Sequence, residues 1–188
     1  MKKCISLVVV LTLLMFSGCG NDSDVVDGVV SLRNKVLSSV SCSFIADVTV
    51  DYGESLYSFS ANCCLDSENN MEITILEPSS IAGIKASITA ESGKLTFDEQ
   101  VLLFETVADG QIAPVGMPWL LMEALRGGYI SMCSSQAAGV FARIDDSYKG
   151  TNFCLDLRLD NQNMPVSAEI IWEGKRIVSM TIMDFVFV

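Results

Sequence analysis

The side chains that could carry chemistry in this chain are its thiols and carboxylates, because none of the 188 residues is a histidine. Without histidine, Ser-His-Asp and Cys-His nucleophiles and histidine-ligated zinc are excluded. A pair of carboxylates can still hydrolyse a glycosidic bond, and the candidate pairs are Asp145 with Asp146 and Asp156 with Asp160. The first pair falls in a predicted turn, where acids are common, and the second lies beside Arg158 on the polar face of a predicted strand. Both pairs are interpreted as solvated surface acids, so the sequence predicts no catalytic residue and a protein that is not an enzyme.

The thiol of Cys19 lies at the end of an N-terminal segment that has the layout of an export signal. Lys2 and Lys3 precede an apolar run at residues 5–16. As a helix this run would span roughly 18 Å, well short of the roughly 30 Å hydrocarbon core of a bilayer. The segment is therefore predicted to be a removable signal peptide and not a membrane span.

The residues around Cys19 resemble the lipobox of bacterial lipoproteins. Ser17 and Gly18 supply small residues directly before the thiol, although Phe16 stands where a leucine is usual. The resemblance implies a diacylglyceryl group on Cys19, which would anchor the protein to the extracytoplasmic face of the cell membrane. The alternative is an ordinary signal peptide that leaves a free thiol. The chain is predicted to divide into a lipoprotein signal peptide (1–18), the lipidated cysteine with a short tether (19–23) and one folded domain (24–188).

The part that remains after removal of the signal is strongly acidic. The chain has 12 basic and 23 acidic residues and a net charge of −11, and loss of Lys2 and Lys3 changes this to −13. Such a surface repels phosphate backbones. Nucleic acid is therefore not expected as a partner.

Five cysteines follow Cys19, and their number and spacing argue against disulfides and metal sites. No pair has the CxxC spacing of a thiolate zinc site, and an odd number cannot pair completely. They are predicted to be small core hydrophobes, and neither a metal nor another cofactor is expected. For the neighbours Cys63 and Cys64, a strained vicinal disulfide or a redox switch competes with two side chains on opposite faces of a strand.

Hydrophobic periodicity predicts the elements that must position these groups. Mixed spacings of three and four predict an amphipathic helix over 24–39, and Pro118 with the pair Gly127-Gly128 bounds a second, short helix over 119–126. Alternation of period two predicts the strands 42–51, 56–65, 71–76, 81–89, 94–97, 101–107, 129–133, 138–144, 153–160, 166–172 and 176–188. Hairpin joints imply one antiparallel sheet, and the apolar face of a large curved sheet must be covered, for which the two helices are available.

The order of these elements resembles that of the LolA/LolB-like lipoprotein carriers, and most closely the pattern of their Gram-positive, clostridial sporulation and germination-type members. Three stretches carry the resemblance: ILEPSSIAGIKASI as the crossing from the third to the fourth strand, APVGMPWLLMEALRGGYI as the lid helix and the next strand, and MPVSAEIIWEGKRIVSMTIMDFVF as the closing hairpin. The resemblance implies a mainly β (α+β) half-barrel sheet, covered on its concave side by an N-terminal helix and a mid-chain lid helix. It also implies one of two functions, because carriers in the family hold lipoprotein acyl chains whereas a clostridial germination lipoprotein is the partner of a cell-wall amidase.

The predicted lid helix is the place where a hydrophobic ligand would be held. The candidate ligand-binding residues form an apolar cluster on and around it: Met117, Trp119, Leu120, Met122 and Leu125. The alternative is that the same face is ordinary core, sealed against the sheet. We therefore expect a membrane-anchored lipoprotein that binds a lipid or acyl chain or handles lipoproteins, or else a protein-binding adaptor for a cell-envelope enzyme such as a spore-cortex amidase.

The adaptor hypothesis directs attention to the last predicted strand. Residues 185–188 at its end are all apolar, and an exposed apolar edge invites pairing with another chain. The sequence thus predicts a free sheet edge along 176–188, with Thr181 and Val186 on it.

Overall fold

Two α-helices and thirteen strands occupy the part of the chain that the computed structural model describes, residues 22–98, 100–104, 107, 108 and 111–188. The helices are α1 (Asp22–Ser38) and α2 (Met117–Gly127), and a 3-10 turn at Pro114–Gly116 leads into α2. The strands are β1 (Ser41–Asp51), β2 (Leu56–Asp66), β3 (Met71–Glu77), β4 (Lys85–Ile88), β5 (Gly93–Phe97), β6 (Gln100–Phe104), β7 (Val107–Ala108), β8 (Gln111–Ile112), β9 (Tyr129–Gln136), β10 (Gly139–Tyr148), β11 (Thr151–Leu159), β12 (Pro165–Trp172) and β13 (Lys175–Phe187). The predicted signal peptide and the lipidation site at Cys19 lie outside the described residues.

Eleven of the strands form one open sheet in the order β6-β5-β4-β3-β2-β1-β13-β12-β11-β10-β9, and β7 and β8 form a separate ribbon. Every pairing is antiparallel. The sheet is a curved half-barrel with the two helices as its lids, which confirms the predicted fold class.

The sheet has two arms that extend from a central pair of strands. The first strand, β1, pairs with the last, β13, so that Cys42 lies opposite Phe187 and Val50 opposite Val178. On one side of this pair lies the β2–β6 arm, and on the other the β9–β12 arm. Each arm is built from hairpins between strands that follow one another in the chain.

The concave face is apolar because side chains along a strand point alternately to opposite faces. In β1 the inward residues are buried and alternate with more exposed ones: Cys42, Phe44, Ala46, Val48 and Val50. The same alternation buries Leu155, Leu157 and Leu159 in β11. These inward residues and the helices form a single hydrophobic core.

The two helices enter this core to different depths. Among the side chains of α1 that the structure describes, one stripe is buried, at Val29, Leu32 and Val36, whereas eight of the eleven residues of α2 are buried. Arg33 joins the helices, because its Nε and Nη2 atoms donate hydrogen bonds of 2.7 Å to the carbonyl oxygens of Leu125 and Gly128. Within the described residues, no helix has the length and apolar character needed to cross a bilayer.

A hydrogen bond connects the two arms across the concave side. The hydroxyl of Tyr148, at the end of β10, donates to the carbonyl oxygen of Ala90 in the β4–β5 turn over 2.8 Å. The ring of Tyr148 also meets the ring of Trp119 edge to face, with 5.3 Å between their centres. Helix α2 is thus held between the arms.

The predicted strand over 81–89 is wrong in its first half. A hydrogen-bonded turn occupies residues 78–84: the amide of Ile81 donates to the carbonyl of Pro78 and that of Gly83 to the carbonyl of Ile75. Gly83 has a φ of +86°, a conformation that glycine adopts without strain. Only Lys85–Ile88 continues as a strand.

The turn predicted to contain Asp145 and Asp146 is also wrong. Asp145 pairs with Cys154 on one side and Tyr129 on the other, so β10 continues to Tyr148. The reversal is made by Lys149 and Gly150, whose φ values are +48° and +83°. Two residues of positive φ are typical of the tight hairpin turns that fit the twist of a sheet.

The free edge predicted along the last strand is wrong up to Thr181 and is found only beyond it, where β13 pairs on one side. Thr181 of β13 pairs with Asp47 of β1 and with Ser167 of β12, so this part of the strand lies inside the sheet. Val186 pairs with β1 alone. The edges of the described sheet are β6 and β9.

Candidate functional site

The β2–β6 arm leaves an apolar groove of about 540 Å³ open on the concave side. The residues that line it come from β2, β3, the β3–β4 turn, β5, β6 and the segment before α2: Leu56, Tyr57, Ser58, Phe59, Ile75, Ile81, Ile84, Leu95, Phe104, Ala113, Pro114 and Val115. Only Tyr57 and Ser58 of these carry a polar side chain. A volume of this size falls within the roughly 300–1,000 Å³ of small-molecule pockets.

The floor of the groove is made by inward residues of β2 and β3. Phe59 and Ile75 are 8% and 5% exposed, so they belong to the core and to the groove at once. Leu56 and Tyr57 continue β2 beyond the core and are 68% and 46% exposed. Strand β2 therefore runs from a filled core into an open, solvent-accessible groove.

The wall of the groove depends on a glycine in β5. An atom in the place of a Cβ at Gly93 would lie 2.1 Å from Cζ of Phe104, so the absence of a side chain at residue 93 makes room for this ring. The two residues are paired across β5 and β6. A glycine inside a strand often marks such a close approach.

The segment before α2 borders the groove opposite the strands. Ala113, Pro114 and Val115 are half-buried and line it, and the chain enters α2 directly after them. The helix itself is packed more deeply. The groove is thus bordered by the approach to the lid helix.

The five candidate ligand-binding residues on and around the lid helix are all buried. Met117, Trp119, Leu120, Met122 and Leu125 each have 0% exposure. The indole Nε1 of Trp119 donates a 2.9 Å hydrogen bond to the carbonyl oxygen of Asn69 in the β2–β3 turn, and the amide of Asn69 donates to the carboxylate of Glu123. These bonds hold α2 against the turn. Ligand binding by the five residues stays a prediction.

The polar groups near the groove are uncharged. The rings of Tyr52 and Tyr57 meet edge to face with 6.3 Å between their centres. Burial, with a smaller contribution from Tyr57, raises the pKa of Tyr52 to about 12, so its phenol is neutral at physiological pH. Among the described residues that line the groove, none is acidic or basic.

Of the five described cysteines, Cys42 and Cys63 are buried core side chains, whereas the prediction of a core position is wrong for the exposed Cys64. Cys63 is buried and Cys64 is exposed, because the two neighbours point to opposite faces of β2. This is the alternative in which the pair lies on a strand and forms no disulfide. All five described cysteines are free. Burial raises the pKa of Cys63, and it raises the pKa of Cys42 to about 11, so both thiols stay protonated and unreactive.

The carboxylates considered for catalysis are engaged in structural hydrogen bonds. Asp156 accepts two bonds from Arg143, of 2.6 and 2.7 Å, as a bidentate ion pair. Asp160 accepts from the backbone amides of Gln162 and Met164 and so closes the β11–β12 turn. Among the described residues, no group of three acidic, cysteine or histidine side chains is placed to hold a metal ion.

Sequence reasoning missed the groove because it is formed by residues from six elements of the chain. The sequence predicts Ile81 and Ile84 in a strand, whereas both lie in a turn. The available signals were Gly93 within a strand and the inward position of Tyr57, which continues the alternation of Phe59 past the end of the core.

The comparisons with known proteins concern the fold. No protein family model and no curated protein matches this chain. An uncharacterized conserved protein from Thermus thermophilus is 12% identical over 87% of each chain, with a TM-score of 0.49. A LolA superfamily protein from Nitrosomonas europaea is 10% identical over 85% of this chain and 91% of that chain, with a TM-score of 0.47.

A chain in the complex of the CwlD amidase from Clostridioides difficile with the GerS lipoprotein is 9% identical over 90% of this chain and 94% of that chain, with a TM-score of 0.33. LolA superfamily proteins are therefore among the solved structures that match this chain. All three TM-scores are below 0.5, so these likenesses do not reveal what the chain binds. A specifically clostridial relationship stays a prediction.

Proposed function

We propose that this protein is a non-catalytic, LolA-like lipoprotein that binds a lipid or an acyl chain in the groove of the β2–β6 arm. The observation that carries the proposal is the apolar groove of about 540 Å³ on the concave side. In this proposal the signal peptide (1–18) is removed, and lipid on Cys19 holds the domain at the extracytoplasmic face of the cell membrane. The ligand is then a membrane lipid or the acyl chains of another lipoprotein.

The exposure of the groove supports a ligand of this kind. Soluble domains seldom leave a connected apolar surface open to water without a binding role. Here Leu56 and Tyr57 are exposed, and Leu95 and Phe104 are half-buried along the same groove. Each methylene that leaves water for such a site contributes about 0.8 kcal/mol, so an acyl chain can offset the cost of association.

The lid helix has a supporting role in this proposal. Because Met117 directly follows the segment that borders the groove, the packing of α2 fixes the position of Val115 and Pro114. Contact of the ligand with Trp119 or Leu125 would require the helix to move away from the sheet. The five lid residues are therefore proposed to shape the groove first and to meet ligand only in an opened form.

Native mass spectrometry of residues 20–188, expressed without the signal peptide in bacteria, tests the proposal. We expect a stoichiometric extra mass that fragments as an acyl lipid. Ile84→Asp, which places a charge in the groove, should remove this mass. Leu76→Asp is the matched control, because Leu76 is 42% exposed on β3 and is not among the groove residues. An unliganded wild-type protein that also fails to take up added lipid would refute the proposal.

A second candidate function, a protein-binding adaptor for a cell-envelope enzyme such as a spore-cortex amidase, is favoured by the edge strand β6. Val101, Leu102 and Leu103 are 56%, 62% and 73% exposed on this edge, and exposed apolar edges invite strand pairing. A purified amidase should then bind the wild-type domain and lose binding to Val101→Lys, while lipid uptake is unchanged. Equal binding of the amidase to both proteins would rule out this edge.

A further inference from the structure

The electrostatic surroundings of the groove distinguish between acyl ligands. The described residues that line it provide no basic side chain that could pair with an acid. The nearest basic residues along β4 and β5 are Lys85 and Lys94. Each precedes an inward residue, Ala86 or Leu95, and both lysines are exposed, so they lie on the outer face of the sheet.

The charge elsewhere on the protein is mainly negative. From residue 95 to residue 125 the sequence contains no basic residue. Among the described residues, Asp98 directly follows β5 and is exposed on the arm that holds the groove. The net charge of the whole chain has the same sign, at −11.

An ionised head group at this groove would meet two unfavourable effects. It would leave water for an apolar surface without a charged partner, which opposes ionisation. It would also be repelled by the net negative charge of the chain. An ester or amide head group carries the same acyl chain without either effect.

We propose that the groove selects acyl chains whose head group is uncharged, such as esters and amides, and rejects ionised fatty acids. The inference rests on the proposed function, because it specifies the ligand of the same groove. Such acyl groups occur in neutral glycerolipids of a membrane and on the acylated N-terminus of another lipoprotein.

The test uses cis-parinaric acid and its methyl ester, whose fluorescence rises when the shared chain enters an apolar site. The protein is the chain from residue 20 onward, which contains every described helix and strand of the core. We expect the ester to bind equally at pH 6 and pH 8. If only the protonated acid binds, its apparent affinity falls about ten-fold per pH unit above its own pKa, and thus about a hundred-fold between these two values.

Two lysine substitutions on β6 test whether the lack of a positive charge inside the groove causes the rejection of the ionised acid. Leu102 pairs with Leu95, which lines the groove, whereas Leu103 pairs with Lys94 on the outer face. Leu102→Lys should raise the affinity for the acid at pH 8 at least ten-fold and leave the ester unchanged. Leu103→Lys adds the same charge to the same strand and should change neither affinity.

The outcomes distinguish a failure of the proposed head-group selectivity from a failure of the proposed lipid binding. Equal binding of acid and ester at pH 8 would overturn the selectivity while leaving lipid binding intact, and equal gains from both lysines would overturn its local origin. Failure of both probes to bind would overturn the proposed function itself. Competition with the methyl ester then identifies the source: displacement by dioleoylglycerol indicates a membrane lipid, displacement by a triacylated lipopeptide an acylated protein, and displacement by neither contradicts the inference.

Discussion

The two arms of the sheet follow the same alternation of apolar residues, yet only the β2–β6 arm opens into a groove along part of its length. In the β9–β12 arm, Ile144, Leu155 and Ile170 are completely buried. In the β2–β6 arm, inward residues such as Leu95 and Phe104 are only half-buried and line the groove. The strand pattern alone therefore does not decide which arm holds a cavity.

The difference arises from how much of the sheet the helices can cover. Eleven strands at about 4.8 Å spacing form an arc of roughly 50 Å. Helices of 17 and 11 residues are about 25 and 16 Å long. Helix α1 packs on β9 and β10, and α2 packs on β10 and is bonded to Asn69 in the β2–β3 turn. The uncovered part therefore falls at the end of the β2–β6 arm that holds Leu56.

The largest expected loss of stability follows from a substitution in the buried core around the lid helix. Trp119→Ala removes a completely buried ring together with its hydrogen bond to Asn69, and should lower the free energy of unfolding by about 3–5 kcal/mol. Phe97→Ala is the control in the open arm, because Phe97 is 52% exposed. It should change the same quantity by about 0.5 kcal/mol. Similar losses in urea denaturation would show that the two arms are equally well packed.

Two glycines provide a matched comparison of intermediate size. An added Cβ at Gly128 would lie 2.5 Å from Cγ2 of Ile144 and 2.8 Å from the carbonyl oxygen of Ala124, inside the filled region. Gly128→Ala should therefore cost about 1–3 kcal/mol, as overpacking does. An added Cβ at Gly93 meets the tip of the Phe104 ring, which can turn into the groove.

Gly93→Ala should thus cost less stability than Gly128→Ala and should weaken ligand binding, because the displaced ring occupies the groove. Chemical denaturation and titration with methyl parinarate measure the two effects. Full binding by Gly93→Ala would mean that the Phe104 ring does not form the wall of the occupied site.

The smallest expected loss of stability follows from removing the hydrogen bond between the two arms. Tyr148→Phe keeps the ring against Trp119 but removes the hydroxyl that donates to Ala90, at a cost of about 1 kcal/mol. A domain of this size should then lose about 2–4 °C in Tm. Tyr129→Phe, at a side chain that is 74% exposed, should leave Tm unchanged. No difference between the two variants would show that water replaces the bond without loss.

Most of the fold could be predicted because the signals were local and repeated. The inward residues of β1 and β11 alternate without interruption, and the polar hairpin at residues 66–70 separates two such runs. Prediction failed where a turn contains apolar residues, at Ile81 and Ile84, and where a strand contains acids, at Asp145 and Asp146. In both places the pairing of the neighbouring strands decides the structure, and it is not visible in local composition.

The candidate site was harder to predict than the fold. The lid cluster could be found from sequence, since Trp119 and its apolar neighbours repeat at helical spacing, but their complete burial depends on the curvature of the whole sheet. The groove depends on what α2 leaves uncovered. Neither the burial of the lid cluster nor the extent of the uncovered sheet is a property of a single segment.

The pairing of β1 with β13 has a consequence for how the chain folds. Each arm is a series of local hairpins, which can form as soon as its own residues are available. The central pair instead joins Cys42 to Phe187, and a contact so distant in sequence has to close the longest loop. Strand β13 is therefore the segment that turns two separate arms into one sheet.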